Sequence, residues 1–187
     1  GSMIQSSKSM PQGDWDAWAI WNMRAKFLAS DGDWRAAAAP ELIGRTHPEY
    51  PLLWSGAVAK AWAWTGTTGE STAPAAAGAI SSLALAALLL SGLWAIRGAA
   101  SGVMAALALL SVVTFWQYSA MQYADIPLAL FMLAALCCAV LAESRQWDAG
   151  LLSMSGALAA MAAWTKDEGT VFCAALGAVI VAVARKR

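Results

Sequence analysis

Charge is missing from most of this chain. Five stretches, 71–96, 98–124, 126–142, 149–165 and 169–184, contain no Asp, Glu, Lys or Arg, and each runs for about 16 to 27 residues. A helix needs about 20 apolar residues to cross the hydrocarbon core of a bilayer. A water-soluble core is disfavoured on the same count, because charged residues are 13% and hydrophobic residues 59% of the chain, against roughly 25% charged in soluble domains. Mean hydropathy is +0.54. Cysteine is scarce: Cys137, Cys138 and Cys173 are the only three, all inside the charge-free stretches. They read as small apolar packers, and neither a disulfide framework nor a metal site is expected of them. Histidine occurs once, at His47. A lone histidine is more often a structural hydrogen-bonder than a base. Lys plus Arg and Asp plus Glu balance at 12 each, so no nucleic-acid partner is expected.

The charges that exist are segregated. Most fall in the first seventy residues, and the rest punctuate the ends of apolar stretches. The expected fold class is an all-α integral membrane protein with about five transmembrane helices, at about 75–96, 99–117, 126–142, 149–165 and 169–184. An extracytoplasmic loop at 14–74, carrying interfacial amphipathic helices, precedes this 75–187 bundle. Residues 1–13 read as a disordered, tag-like N-terminus, and Gly1-Ser2-Met3 resembles a cloning scar ahead of a start codon. A preceding membrane helix and further helices downstream are expected. Alternating spans put Arg97, Arg145 and the terminal Arg185-Lys186-Arg187 on one side, which is cytoplasmic by the positive-inside rule. The 14–74 loop, the 117–125 loop and the Lys166-Asp167-Glu168 turn fall on the other side.

The long loop has an order of its own. Trp15, Trp18, Trp21, Ala25 and Leu28 recur at three- and four-residue steps, which predicts one apolar helical face with Arg24 and Lys26 off it. Indole rings with flanking cations suit a membrane interface. His47-Pro48-Glu49-Tyr50-Pro51 predicts a rigid extended element, because each proline fixes its own φ and steers the residue before it away from the helical region. A second interfacial helix is expected from Leu52 to Trp64, with Lys60 snorkelling.

Four motifs in order carry a resemblance: Asp14-Trp15-Asp16-Ala17-Trp18 with Arg24-Ala25-Lys26; His47-Pro48-Glu49-Tyr50-Pro51-Leu52-Leu53; Tyr123-Ala124-Asp125-Ile126-Pro127-Leu128; and Thr165-Lys166-Asp167-Glu168-Gly169. Together they resemble membrane glycosyltransferases of the C-type fold, akin to the dolichyl-phosphate-mannose protein mannosyltransferases and the lipid A aminoarabinose transferase. The likeness spans roughly 14–184 and corresponds to the N-terminal part of such an enzyme. Two departures bear on donor and acceptor. The second motif has His47-Pro48-Glu49-Tyr50-Pro51 where the family often has Lys-Pro-Pro or His-Pro-Pro, and the last carries Asp167-Glu168 where the family often reads Thr-Lys-Gly.

The resemblance implies an enzyme of the cell envelope, in the bacterial inner membrane, with its active side extracytoplasmic. The donor is a sugar on a polyprenyl phosphate, a membrane lipid; the acceptor is an undefined hydroxyl. Asp16, with Asp14 as fallback, matches the acidic residue of the first outer loop and Asp125 that of the second. A carboxylate within hydrogen-bond reach can take the acceptor's proton, the role given to Asp16. Lys166 is the candidate to stabilise the departing phosphate, with Arg24, Lys26 and His47 as supporting donors. Tyr50, Tyr123 and Glu168 complete the candidate substrate-binding set. No cofactor is defined; Asp14, Asp16 and Asp125 would hold a divalent cation if the reaction uses one.

Each residue has a plainer reading beside this one. Asp14, Asp16 and Asp125 can cap helices, Lys166 can mark a span end beside Asp167 or Glu168, and Tyr50 and Tyr123 can be interface anchors. The other function class is a non-catalytic membrane module, a transporter fragment or lipid-binding scaffold. Transporters usually place ionisable residues near the bilayer midplane, and these span interiors have none.

Overall fold

The computed structural model describes residues 10–30, 34–39 and 47–186. Among them every regular element is helical. In chain order these are a π-turn Ala17–Trp21 leading into α1 (Asn22–Ala29), a 3₁₀ turn Trp34–Ala38, α2 (Leu53–Thr65), α3 (Thr72–Arg97), α4 (Ala99–Ser111), α5 (Val113–Met121), α6 (Asp125–Ser144), α7 (Ala149–Thr165) and α8 (Asp167–Ala184). Three of them, α3, α6 and α8, are long and apolar enough to cross a membrane. The pair α4 and α5, bent by 67° at Val112, raises the number to four if it forms one crossing. Their surfaces fit that medium: Ile80, Leu83, Met104, Leu107 and Val171 all stand exposed. Apolar faces of this extent are stable against lipid rather than water.

The chain divides into two compact units. The first comprises residues up to Ser82 together with Val112–Ile126. Its core gathers Ile20, Trp21, Ala25, Trp54, Val58, Trp62, Ala73 and Ala124, so the tryptophans expected at an interface partly form a packed interior. The expected single stripe breaks at the π-turn. An i→i+5 turn places one extra residue in the helix and rotates all later positions by about 100°. Trp21 and Ala25 therefore point inward with Arg24, while Trp15 and Trp18 are exposed. Of the N-terminal expectation, residues 1–9 lie outside the described residues, while Pro11 and Gln12 are tied down. Gln122 Nε2 donates to the Pro11 carbonyl at 3.1 Å and Asn22 Nδ2 to the Gln12 carbonyl at 3.2 Å.

Two further expectations change in this unit. His47 to Tyr50 is a turn, closed by the Tyr50 N–H on the His47 carbonyl at 3.1 Å, with His47 at φ +50°. Pro48 occupies the second turn position, where its fixed φ is favourable. The expected 117–125 loop shrinks to Gln122–Ala124, because α5 continues to Met121. It does so by burying Phe115, Ser119 and Ala120 on one face, with Ser119 Oγ accepting from Ser82 Oγ at 2.7 Å. The second expected helix of the loop does form, as α2, and Lys60 lies 5.4 Å from the Trp64 ring centre.

The second unit comprises Leu83–Ser111 and the chain from Pro127 onward. Gly98, at φ +93°, turns α3 into α4, and Gly102 packs against the Leu90 carbonyl. In the α6–α8 bundle Ala135, Ala159 and Leu176 form the core, and Ser155 Oγ donates to the Ala135 carbonyl at 2.9 Å. Small residues let the backbones approach, the usual device where lipid offers no hydrophobic drive. Asp148 caps α7 by accepting from the Leu151 N–H at 2.8 Å. Cys137 packs on Gly92 as a small apolar filler, and all three cysteines are free.

Candidate functional site

The first unit brings the leading acidic motif to the tyrosine motif. The Asp14 N–H donates to the Met121 carbonyl at 3.3 Å, which fixes residue 14 beside the end of α5. Met121 precedes Gln122, a left-handed residue at φ +61° whose side chain is fully buried. Gln122 Oε1 accepts from Asn22 Nδ2 at 3.1 Å. The resulting Pro11–Gln12–Asn22–Gln122 network joins the entrance of the π-turn to the turn that carries Tyr123. Gly13 permits the closure. It has φ +76°, and a Cβ there would run into Ala17 and the Met121 carbonyl.

Tyr123 is the electrostatic marker of this arrangement. Burial, then the charges of Asp14 and Asp16, then the interaction of its hydroxyl with the Asp14 carboxylate push the phenol up to about 12. Tyr118 stands edge-on to it at 5.7 Å. Asp14 Oδ1 accepts from the neighbouring Trp15 N–H at 2.8 Å, which satisfies part of the capping reading. Asp16, just before the π-turn, makes no side-chain cap bond and is half-buried. Asp125 is the first residue of α6. Among the described residues no three His, Cys, Asp or Glu side chains assemble as a metal site, so Asp14, Asp16 and Asp125 are not a three-carboxylate cluster.

Arg24 is placed differently from its expected role. Its side chain is 1% exposed, with Nε donating to the Ala37 carbonyl at 2.7 Å and Nη2 to the Pro48 carbonyl at 3.4 Å. Nη1 has no partner among the described residues. Burial lowers its pKa while the Glu49 charge opposes that shift. The guanidinium thus works as a clamp between the 3₁₀ turn and the His47 turn. In that turn His47 Nδ1 lies 2.8 Å from Glu49 Oε1. The His47 bond, the residue's own backbone and the nearby positive charges hold the Glu49 carboxyl below its usual value. His47 stacks on Tyr50, which stacks in turn on Trp21 with rings 5° from parallel. Lys26 is exposed, and the end of its side chain rests on Gly69.

Lys166 and Glu168 belong to the second unit, at the α7–α8 hairpin. Lys166 is extended, at φ −153° and ψ +159°, between the two helices. Its Nζ lies 3.5 Å from Glu168 Oε1, and only 12% of the side chain is exposed. A solvated span-end lysine is open to water; this one is largely covered. Gly169 makes the hairpin close, since it packs directly on the Ala162 carbonyl. Asn22 and Gln122 are the residues that motif reading missed. Their signal was weak: two amides in otherwise apolar helix-forming runs, whose long-range pairing no spacing reveals.

Comparison with protein families, characterised proteins and solved structures returns no match.

Proposed function

We propose that the chain belongs to a membrane glycosyltransferase that moves a sugar from a polyprenyl-phosphate donor to an acceptor hydroxyl. In this reading the membrane is crossed five times, by α3, the bent α4–α5 pair, α6, α7 and α8. The reaction takes place on the extracytoplasmic side, in a bacterial inner membrane. The observation that carries the proposal is the meeting of the Asp14–Asp16 and Tyr123 motifs in one folded unit, held by the Asp14 N–H on the Met121 carbonyl and the Asn22–Gln122 bond and matched by the raised pKa of the phenol. Two separate loop motifs converge where independent helix caps have no reason to.

Asp16 takes the proton from the acceptor oxygen as that oxygen bonds to the anomeric carbon. The bond from that carbon to the phosphate oxygen breaks, and polyprenyl phosphate leaves with the electron pair. A positioned carboxylate base contributes about 10²–10⁴-fold. Lys166 stabilises the phosphate charge; a covered ammonium is worth more there than one in water. Asp125 binds or orients the acceptor, and Tyr123, held neutral, donates a hydrogen bond to the carboxylates or to sugar hydroxyls. Arg24 and the His47 turn support the fold of the outer segment.

Transfer from a polyprenyl-phosphate sugar by Asp16→Asn and Lys166→Met, made in the full-length protein, tests this. The expected loss is about 100-fold or more in turnover for each, with the detergent-solubilised protein still folded. Unchanged turnover in both variants eliminates this mechanism, and no transfer by the unaltered protein leaves a non-catalytic membrane module as the reading.

A further inference from the structure

An open cleft of about 480 Å³ lies on the first unit, lined by Gln12, Trp18, Asn22, Met23 and Lys26. None of the chemistry above uses it, apart from the cation of Lys26. Its walls are of three kinds. Trp18, 48% exposed, offers an indole, braced edge-on by Trp15 at 4.6 Å. Gln12 and Asn22 form the polar wall: both Asn22 Nδ2 hydrogens are taken, by the Gln12 backbone carbonyl and Gln122 Oε1, which fixes the side chain and leaves its buried Oδ1 as an acceptor with no partner among the described residues. Lys26 places an exposed ammonium at the rim.

We propose that this cleft is a subsite for one pyranose ring bearing a phosphate, with Trp18 as the stacking platform and Lys26 as the phosphate contact. A pyranose presents C–H groups on its faces and hydroxyls around its edge. The faces pack on the negative face of an aromatic ring, and the edge needs amide partners of the kind that orient ligands in largely apolar pockets. A bare lipid chain needs neither the amides nor the ammonium. An uncharged sugar leaves the ammonium idle, and a lysine is a point-charge partner for phosphate. The volume takes a single ring and its phosphate with room for water. Trp18 also lies two residues after Asp16, on the π-turn that begins the helix. Such turns recur at functional sites. The phosphate in this proposal rests on the transferase reading; the sugar platform rests on the cleft alone.

The test uses the full-length protein in detergent, labelled with 5-fluorotryptophan, with the Trp18 fluorine resonance assigned by its loss in Trp18→Phe. The probes are a hexose 1-phosphate, the free hexose and inorganic phosphate. The Trp18 resonance is expected to shift saturably with hexose 1-phosphate, and with the free hexose only at about tenfold higher concentration, the worth of a charged contact. Lys26→Met is expected to erase that difference. Both side chains are solvent-facing, so neither variant threatens the fold. A resonance indifferent to both sugars, or one that moves equally with inorganic phosphate alone, overturns the subsite and leaves Trp18 as a lipid anchor. A saturable shift in a protein without transfer activity keeps the subsite and removes the transferase; transfer without the shift does the reverse.

Discussion

Tyr123 has the clearest physical signature of any single side chain in the molecule. Its phenol titrates at about 12, whereas an unfolded one titrates near 10. The folded state therefore holds this proton more tightly. The stability that follows is complete below pH about 10 and is lost as pH rises through about 12. Only three tyrosines are present, so phenolate absorbance resolves the effect. The highest-pH step is expected to disappear in Tyr123→Phe. In Asp14→Asn it moves down only part of the way, because burial is the first cause and the carboxylates the second. A top step unchanged in both variants contradicts the placement of Tyr123. Asp14, Asp16 and Tyr123 were legible in the sequence because acidic and aromatic residues form short motifs. The role of Arg24 was not. A cation beside a tryptophan stripe reads as interfacial, and only long-range packing turns it into a buried clamp on the carbonyls of Ala37 and Pro48.

Among the elements, those defined by missing charge were readable and those defined by a local change of winding were not. Absence of charge sets where α3, α6 and α8 run, since any break would expose backbone groups that lipid cannot satisfy. The π-turn at Ala17–Trp21 and the break at Val112 leave no such trace. The first inserts a residue without altering composition. The second falls in Val112-Val113-Thr114, β-branched residues that weaken a helix but occur throughout membrane spans. The α7–α8 hairpin gives this level its test. A Cβ at Gly169 meets backbone at Ala162, which cannot step aside, whereas one at Gly156 meets nothing within 4 Å. Gly169→Ala is expected to destabilise by roughly 1–3 kcal/mol, the range for overpacking. Gly156→Ala is expected to be neutral or to stabilise by up to about 1 kcal/mol, as alanine is the better helix former. Thermal unfolding of the two variants in one detergent measures both. Equal behaviour means that the hairpin is looser than described and that Lys166 is not held in place.

At the scale of the whole molecule the open quantity is the number of crossings, and it turns on the bent α4–α5 pair. Among the described residues three helices satisfy length and hydropathy alone, and the bent pair makes four. The 17 residues of α7 span about 25 Å at 1.5 Å per residue, at the short end of what crosses a bilayer. If α4 and α5 enter and return on one side, Arg97 faces the opposite side from Arg145 and from Arg185 and Lys186. If they cross, all four cations share a side. The positive-inside rule favours the crossing, and so does the proposed reaction, which uses Asp16 and Lys166 on one side of the membrane. Single cysteines introduced at Gly98, Gln146, Gly66 and Asp167, in a chain whose three native cysteines are replaced by alanine, distinguish the two. With a membrane-impermeant thiol reagent and intact cells, positions 66 and 167 are expected to react, and 98 and 146 only after the membrane is opened. Labelling of 98 together with 66, or of 146 with 98 protected, shows that a helix fails to cross. The proposed base and phosphate-binding lysine then face different compartments, and one reaction cannot use both.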